Sequence, residues 1–512
     1  MKGEKSRMLK HILGRGYFPR ELPSPFDTRS YAKLLGKKGE IPPSPFCFGK
    51  KGPRYISRPF YYNLARRGKL RRALSIPNPI NFYHIAAIVE SSWTDLQSHF
   101  AKSEQSLSRP MFSERGRTFE WEKGFDLLPK AKLKTRNGAR YIVKTDISNF
   151  FPSIYTHSIP WALHTKPVGK GHRCFADSLG SKLDIAIRNG QDSQTKGIPI
   201  GPDTSFLMAE VISTALDDAL VKTIGKHYHR YIDDYEFGCS TAQESDNVLG
   251  KLQEILEVYE LTLNSSKTST LELPERIDPL WIHELAAFKF RSTEKGQAKD
   301  LMHYFDLSIA HSAECEDDPV IKYAIKRTSS IGIQDSNWSL YESLLLQWAT
   351  AEPGVLEVSI DFIKHYADCG ALIDRDKIKD VLQHIICLHS PKGHTSELAW
   401  AIWGMILFKL PIDSHVVKLL SLIENPVVAL LCLDAREQKL IDPGFDFSHW
   451  TALMNETELR GPNWLLTYEA AKKNWLPPLE GKDYLRKACV FRPKPATDSD
   501  ASRPPVPTER GH

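Results

Sequence analysis

The stretch HYHRYIDDYEFGCS, residues 227–240, limits the folds open to this chain more than any other. Aromatic residues flank two adjacent aspartates, Asp233 and Asp234, so the segment reads as two short strands meeting at an Asp-Asp turn. Neighbouring carboxylates repel each other unless water or a cation relieves them. A solvated bend is the ordinary reason for such a pair, and a metal needs a further acid from elsewhere in the chain. Asp146 supplies one. The run RYIVKTDIS is β-branched, is preceded by RNG and reads as a strand ending near Asp146. A strand-end aspartate beside a hairpin-tip pair can hold two Mg²⁺ ions, hard cations that prefer oxygen ligands. Two such ions activate an attacking hydroxyl and steady a leaving pyrophosphate in nucleotidyl transfer.

The surrounding elements fit an α+β chain. GIPIGPDTSFLMAEVISTALDDALVKTI opens with Gly and Pro and becomes a helix. Leu207, Val211, Ala215 and Ala219 form one i,i+4 row and Met208, Ile212, Leu216 and Leu220 the next, which predicts deep packing. A further amphipathic helix is expected over residues 245–259 with Val248, Leu252 and Ile255 on one side, followed by strand-like LTLNSSKTSTLEL. Residues 1–80, rich in Pro and Tyr, predict extended segments and turns rather than long helices, and a helical pattern runs from Phe82 to about Phe100. From about residue 298 the segments are helix-length and apolar. The tail RPKPATDSDASRPPVPTERGH has the composition of a disordered segment.

At 512 residues, with 41% hydrophobic and 10% aromatic residues, the chain can fill a core in two or three domains. The formal charge of +6 permits nucleic-acid binding without demanding it. Basic residues cluster in the first third, at Arg66, Arg67, Lys69, Arg71 and Arg72 and again at Lys130, Lys132, Lys134, Arg136 and Arg140; such runs are ordinarily solvated faces. Eight scattered cysteines without a CxxC pair argue against a zinc ribbon or a disulfide framework and fit a reducing cytoplasm. The N-terminus has no apolar run suited to a signal peptide, and LAWAIWGMILF is too short to span a bilayer, so it reads as a buried helix and no membrane partner is expected.

TDISNFFPSIYTHSIPW, then KGIPIGPDTS, then YIDD, then LTLNSSKT, in that order over about residues 70–275, resemble the successive palm motifs of reverse transcriptases. The resemblance implies a ferredoxin-like antiparallel palm backed by helices. It implies Asp146, Asp233 and Asp234 as catalytic, metal-binding carboxylates, with Asp234 either a ligand or a support for Asp233. The metal would be Mg²⁺, or Mn²⁺ in its place. Phe151 matches the aromatic gate that excludes a 2′-hydroxyl, and Lys267 the lysine that protonates departing pyrophosphate. Arg71 and Arg72 match basic residues that hold the triphosphate, and Gly197 and Pro199 fall in a nucleotide-binding motif. Each of these residues also has an ordinary structural reading, as a core aromatic, a surface cation or a turn. Lys196 stands before Gly197 where group II intron and retron enzymes usually carry Gln, and no familiar thumb follows.

YTHSIPW, GYFPRELPSPFDT and the large helical second half are similar to the bacterial abortive-infection (Abi) polymerases, a defence-associated branch of the reverse-transcriptase group. That likeness implies a polymerase domain over 1–297, a HEAT-like helical domain replacing a thumb over 298–490 and a disordered tail over 491–512. It implies an antiphage enzyme that consumes dNTPs, uses no template and leaves single-stranded DNA attached to one of its own tyrosines, and that assembles into a trimer or hexamer. Tyr17, Tyr55, Tyr61 and Tyr62 are candidate primers. Two other readings stay open: a defence reverse transcriptase copying a bound noncoding RNA, and an idle palm serving as a protein-binding scaffold.

Overall fold

The computed structural model describes residues 2–35, 46, 52–66, 70–122, 125–172, 174–316 and 318–477. The expected tail over 491–512 lies outside them, as do Arg67 and Lys69 of the first basic run.

Strands β1 (Phe60–Ala65) and β2 (Arg71–Ile76) form an antiparallel ribbon, and β3 (Pro110–Phe112) and β4 (Phe119–Trp121) form a second, smaller one. The principal sheet contains β5 (Tyr141–Asp146), β6 (Tyr228–Tyr231), β7 (Asp234–Cys239) and β8 (Ser269–Glu272), antiparallel throughout in the order β6-β7-β5-β8. With helices between β5 and β6 and between β7 and β8, this is the ferredoxin-like βαββαβ arrangement. On β7, Tyr235 and Phe237 point to one face by the period of two and lie parallel at 5.7 Å between ring centres, while Tyr228 of β6 meets Phe237 at 5.0 Å.

The helix Asp203–Ile224 runs behind this sheet, and its Leu207, Met208, Val211, Ile212, Leu216 and Leu220 are buried, as the two apolar rows require. The helix Ala242–Val258, capped by the Thr241 hydroxyl, packs Val248 and Leu252 into the same core. Two readings needed revision. The pattern from Phe82 to Phe100 resolves into two helices, Pro79–Ser91 and Trp93–Phe100, hinged at Ser92. The N-terminus, expected to be extended, forms a helix over Lys2–Arg15 whose Met8, Ile12 and Leu13 are buried on one face.

Among the described residues, every regular element from Leu280 to Lys472 is helical. LAWAIWGMILF, all but its final Phe408, falls in the helix Thr395–Leu407, which is buried along nearly its whole length. Its first turn meets the free edge of β1. Asn63 N–H donates to Thr395 Oγ1 at 2.7 Å and Ala65 N–H to Ser396 Oγ at 2.9 Å, and Asn425 Nδ2 donates to the Tyr61 carbonyl at 2.9 Å. The helical half thereby covers an edge that would otherwise offer unpaired backbone groups.

Candidate active site

The register of β5 on β7 sets Asp146 opposite Asp234. The β6–β7 turn is Ile232-Asp233, because Tyr231 pairs with Asp234, so the tip is not Asp-Asp as expected: Asp234 opens β7 and Asp233 alone occupies the bend. Residues 262–264 extend the pairing past the end of β5. Ser148 N–H donates to the Thr262 carbonyl and Asn264 N–H to the Asp146 carbonyl, both at 2.9 Å. This brings the NSSKT loop beneath the carboxylates, where Lys267 Nζ donates to Asp146 Oδ2 at 2.8 Å.

Burial pushes the Asp233 carboxyl up to about 7, helped by the Asp234 and Asp146 charges, and burial pushes Asp234 up to about 6 against the pull of Lys267. The hydrogen bond to Asp146 holds the Lys267 ammonium above its usual range. Asp146 Oδ1 is buried with no hydrogen-bond partner. An orphaned carboxylate oxygen beside two acids strained by their own ionisation is an all-oxygen donor set, and it fits a hard divalent cation such as Mg²⁺ or Mn²⁺. The three-ligand group among the described residues whose ligand atoms all lie within 4.8 Å of one another is a different one, His389, His394 and Glu397. Arg71 already holds Glu397 there, with Nη2 at 2.7 Å from Oε2, and the two histidines bond each other through their Nδ1 atoms at 2.9 Å. In that cluster Glu397 and both Nδ1 atoms already have protein partners, while His389 Nε2 is buried with none.

Phe151 lies half-buried in the helical turn Phe150–Ser153, entered through Asn149 at φ 45°, a left-handed conformation that asparagine tolerates. The Phe151 carbonyl accepts from Ile198 N–H at 3.0 Å, and Gly197 N–H reaches the Ile154 carbonyl at 2.7 Å. The 195–198 segment therefore lies along the turn that carries Phe151. Gly197 adopts φ +83°, and a Cβ there would stand 3.1 Å from the Pro152 carbonyl oxygen. Pro199, expected to serve a nucleotide, is buried and lines a small cavity with Pro77, Ile85, Ile187 and Met208, so its side chain faces the core.

Alternation on β2 separates the two arginines. Arg72 is half-buried; burial and the nearby Arg66 charge push its pKa down, while Glu21 and Asp233 pull it back up, so it lies within the field of the site. Arg71 is committed elsewhere, bidentate to Glu397 and bonded through Nε to Asn63 Oδ1 at 2.9 Å. The second basic run is likewise only partly solvated, since Arg136 is buried and paired with Glu236 at 2.8 and 3.0 Å.

Sequence reasoning missed Arg230. Its side chain is fully buried and pairs with Glu210 and Asp217, both buried on the helix Asp203–Ile224. The signal was present: two acids inside a helix whose flanking rows are apolar must find a partner.

A ferredoxin-like sheet with acids at the end of one strand and at the tip of the adjoining hairpin is the frame of a palm-type nucleotidyltransferase. Residues 66–302 match the family model described as reverse transcriptase (RNA-dependent DNA polymerase), and this segment is a reverse-transcriptase-type nucleotidyltransferase domain. No curated protein matches the sequence. Similar solved structures include apo telomerase from Candida tropicalis, 11% identical, covering 75% of this chain and 69% of that one with a TM-score of 0.34. Telomerase from Candida albicans in complex with a TWJ fragment of telomeric RNA is also similar, 11% identical over 80% of this chain and 64% of that one, with a TM-score of 0.28. No helix among the described residues is long and apolar enough to cross a membrane.

Proposed function

We propose that the chain is a DNA polymerase of reverse-transcriptase type that joins deoxynucleotides at Asp146, Asp233 and Asp234. The observation that carries this reading is the β5–β7 register, with Asp146 facing Asp234 and Asp233 at the adjoining turn. Bound Mg²⁺ or Mn²⁺ would activate the attacking hydroxyl and stabilise charge on the departing pyrophosphate. The three aspartates would supply its oxygen ligands. Lys267, whose side chain is 58% exposed and free to swing from Asp146, gives the leaving group its proton. Phe151 excludes a 2′-hydroxyl, and Arg72 and the Gly197 turn serve the nucleotide. Arg71 and Pro199, occupied elsewhere, drop out of this set.

The finer reading is an antiphage polymerase of the abortive-infection kind, supported by the likeness of YTHSIPW and GYFPRELPSPFDT and by the helical half that follows the palm. On it, residues 1–297 are the polymerase domain and 298–490 a HEAT-like domain in place of a thumb. The enzyme works in the cytoplasm as a trimer or hexamer and extends a tyrosine of its own without a template. Of the four candidate tyrosines, Tyr17 is core: its hydroxyl donates to the Pro77 carbonyl at 2.6 Å and its ring stacks on Phe82 at 4.0 Å. Tyr55 and Tyr62 are buried too, while Tyr61 is 58% exposed, which favours Tyr61.

Purified protein incubated with Mg²⁺ and one dNTP, without nucleic acid, should gain mass in whole nucleotide steps. Asp233→Asn should reduce this by about 100-fold or more, several kcal/mol of lost charge stabilisation. Extension only after addition of RNA would support the RNA-copying reading, and full phage resistance from Asp233→Asn would support the scaffold.

A further inference from the structure

Ile232 precedes Asp233 at φ 57°, a left-handed conformation that a β-branched residue rarely adopts. It is the first central residue of a two-residue hairpin, and a positive φ there is ordinarily met by glycine. Such a conformation costs roughly 1–3 kcal/mol and persists only where the surroundings enforce it.

The surroundings are specific. Ile232 N–H donates to Ser108 Oγ at 2.9 Å, and Arg230 Nη1 donates to the Ile232 carbonyl at 2.8 Å, so both polar groups of the strained residue are held. Behind them stands a buried network. Arg230 Nη2 bonds Glu210 Oε1 and Asp217 Oδ2, each at 2.7 Å, and Ser108 Oγ donates to Glu210 Oε2 at 3.2 Å. Ser106 Oγ donates to Glu210 Oε1 at 2.7 Å, and Ser103 Oγ to Asp217 Oδ2 at 2.5 Å. The segment that carries the serines is itself fixed to β6, with Leu107 N–H on the Arg230 carbonyl at 2.8 Å and Arg230 N–H on the Gln105 carbonyl at 3.0 Å. Ser108, Arg230, Glu210 and Asp217 are each at most 2% exposed.

A buried set of one guanidinium and two carboxylates is a poor way to gain stability, since desolvation offsets most of the attraction. It is a good way to fix a geometry. We propose that Ser108 and Arg230 are positioning residues that clamp the Ile232 peptide groups and so hold Asp233 at the turn beside the facing pair Asp146 and Asp234. The role in catalysis rests on the reading of Asp233 as a metal-holding carboxylate; the clamp itself rests on the hydrogen bonds and the backbone angle.

The experiment uses the full chain as wild type, Ser108→Ala, Ile232→Gly, the double variant and Asp233→Asn. Three quantities are measured: Mn²⁺ affinity by electron paramagnetic resonance without nucleotide, kcat and KM for dNTP, and deuterium uptake over residues 229–236. Ser108→Ala should weaken Mn²⁺ binding and lower kcat about tenfold, leave KM little changed and speed exchange in the hairpin. In the Ile232→Gly background, where the turn needs no clamp, the Ser108→Ala loss should shrink to less than about threefold. An equal loss in both backgrounds, or hairpin exchange unchanged by Ser108→Ala, overturns the clamp. Mn²⁺ binding unchanged by Asp233→Asn would instead remove the metal-site reading, and the exchange data would still decide the clamp.

Discussion

At the scale of single residues, Asp233 and Asp234 set the pH behaviour of the site. Both carboxyls are raised, to about 7 and about 6, by burial and by the acids around them. A group whose folded pKa is raised adds stability that is complete below its unfolded pKa and is lost as pH climbs through the folded value. Metal-free protein should therefore melt at progressively lower temperature between pH 5 and pH 8 through these two groups, and Asp233→Asn should flatten the slope. Mg²⁺ needs the ionised acids, so the rise in melting temperature it causes should be larger at pH 8 than at pH 5.5. Equal rises at both pH values in a thermal scan would speak against a metal on these carboxylates. Phe151 supports a separate expectation: its ring is half-buried and packed edge-on against Phe150 at 5.8 Å, so Phe151→Ala opens space without removing a core residue. Discrimination against ribonucleotides, measured as the ratio of kcat/KM for dNTP and NTP, should fall by about tenfold or more; an unchanged ratio would return Phe151 to ordinary packing.

At the scale of elements, the turn holding Gly197 ties the segment after β5 to the segment before the long helix. Ile198 and Gly197 donate to the Phe151 and Ile154 carbonyls, and Thr156 N–H donates to the Thr195 carbonyl at 2.8 Å. Gly197→Ala forces an L side chain into φ +83° and toward the Pro152 oxygen, at a cost of about 1–2 kcal/mol for the angle alone. Urea unfolding should show that loss, and KM for dNTP should rise as the Phe151 turn shifts; a neutral variant would mean the turn is soft. How far the elements were legible followed the source of their stability. β5 and the helix Asp203–Ile224 could be read because β-branched run, turn signals and apolar rows agree with the final burial. The helix Lys2–Arg15 was hidden by the Pro-rich composition around it, and the displaced hairpin tip by a β-branched residue in a position that turn chemistry gives to glycine.

At the scale of the whole molecule, the helical half and the β1–β2 ribbon are bound together. Arg71 leaves the site to pair with Glu397, whose side chain has no exposure, and β1 is capped by Thr395, Ser396 and Asn425. Arg71→Ala strands a buried carboxylate, which costs about 3–5 kcal/mol where no other cation can reach it. His389 and His394 each lie 3.5 Å from Glu397 Oε1 and are held below the usual imidazole range, mainly by burial with Arg71 contributing. Without Arg71 a proton on either histidine neutralises Glu397. The raised imidazole then stabilises the fold below its unfolded pKa and ceases to as pH rises. Denaturant unfolding of Arg71→Ala should accordingly show a smaller loss at pH 5.5 than at pH 8, with KM for dNTP little changed. A large rise in KM with intact stability would restore Arg71 to the nucleotide.

The sequence by itself determined the sheet that carries the acids and the deep helix behind it, and it singled out Asp146, Asp233, Asp234 and Lys267, which the fold places at one end of that sheet. These depend on local periodicity and on the order of short motifs, which survive without knowledge of the fold. Tertiary structure alone decided the partners of Arg71 and Arg230, the inward turn of Pro199 and the burial of Tyr17. A long charged or aromatic side chain takes its role from what lies within a few ångströms in space, and for these residues those neighbours come from distant parts of the chain.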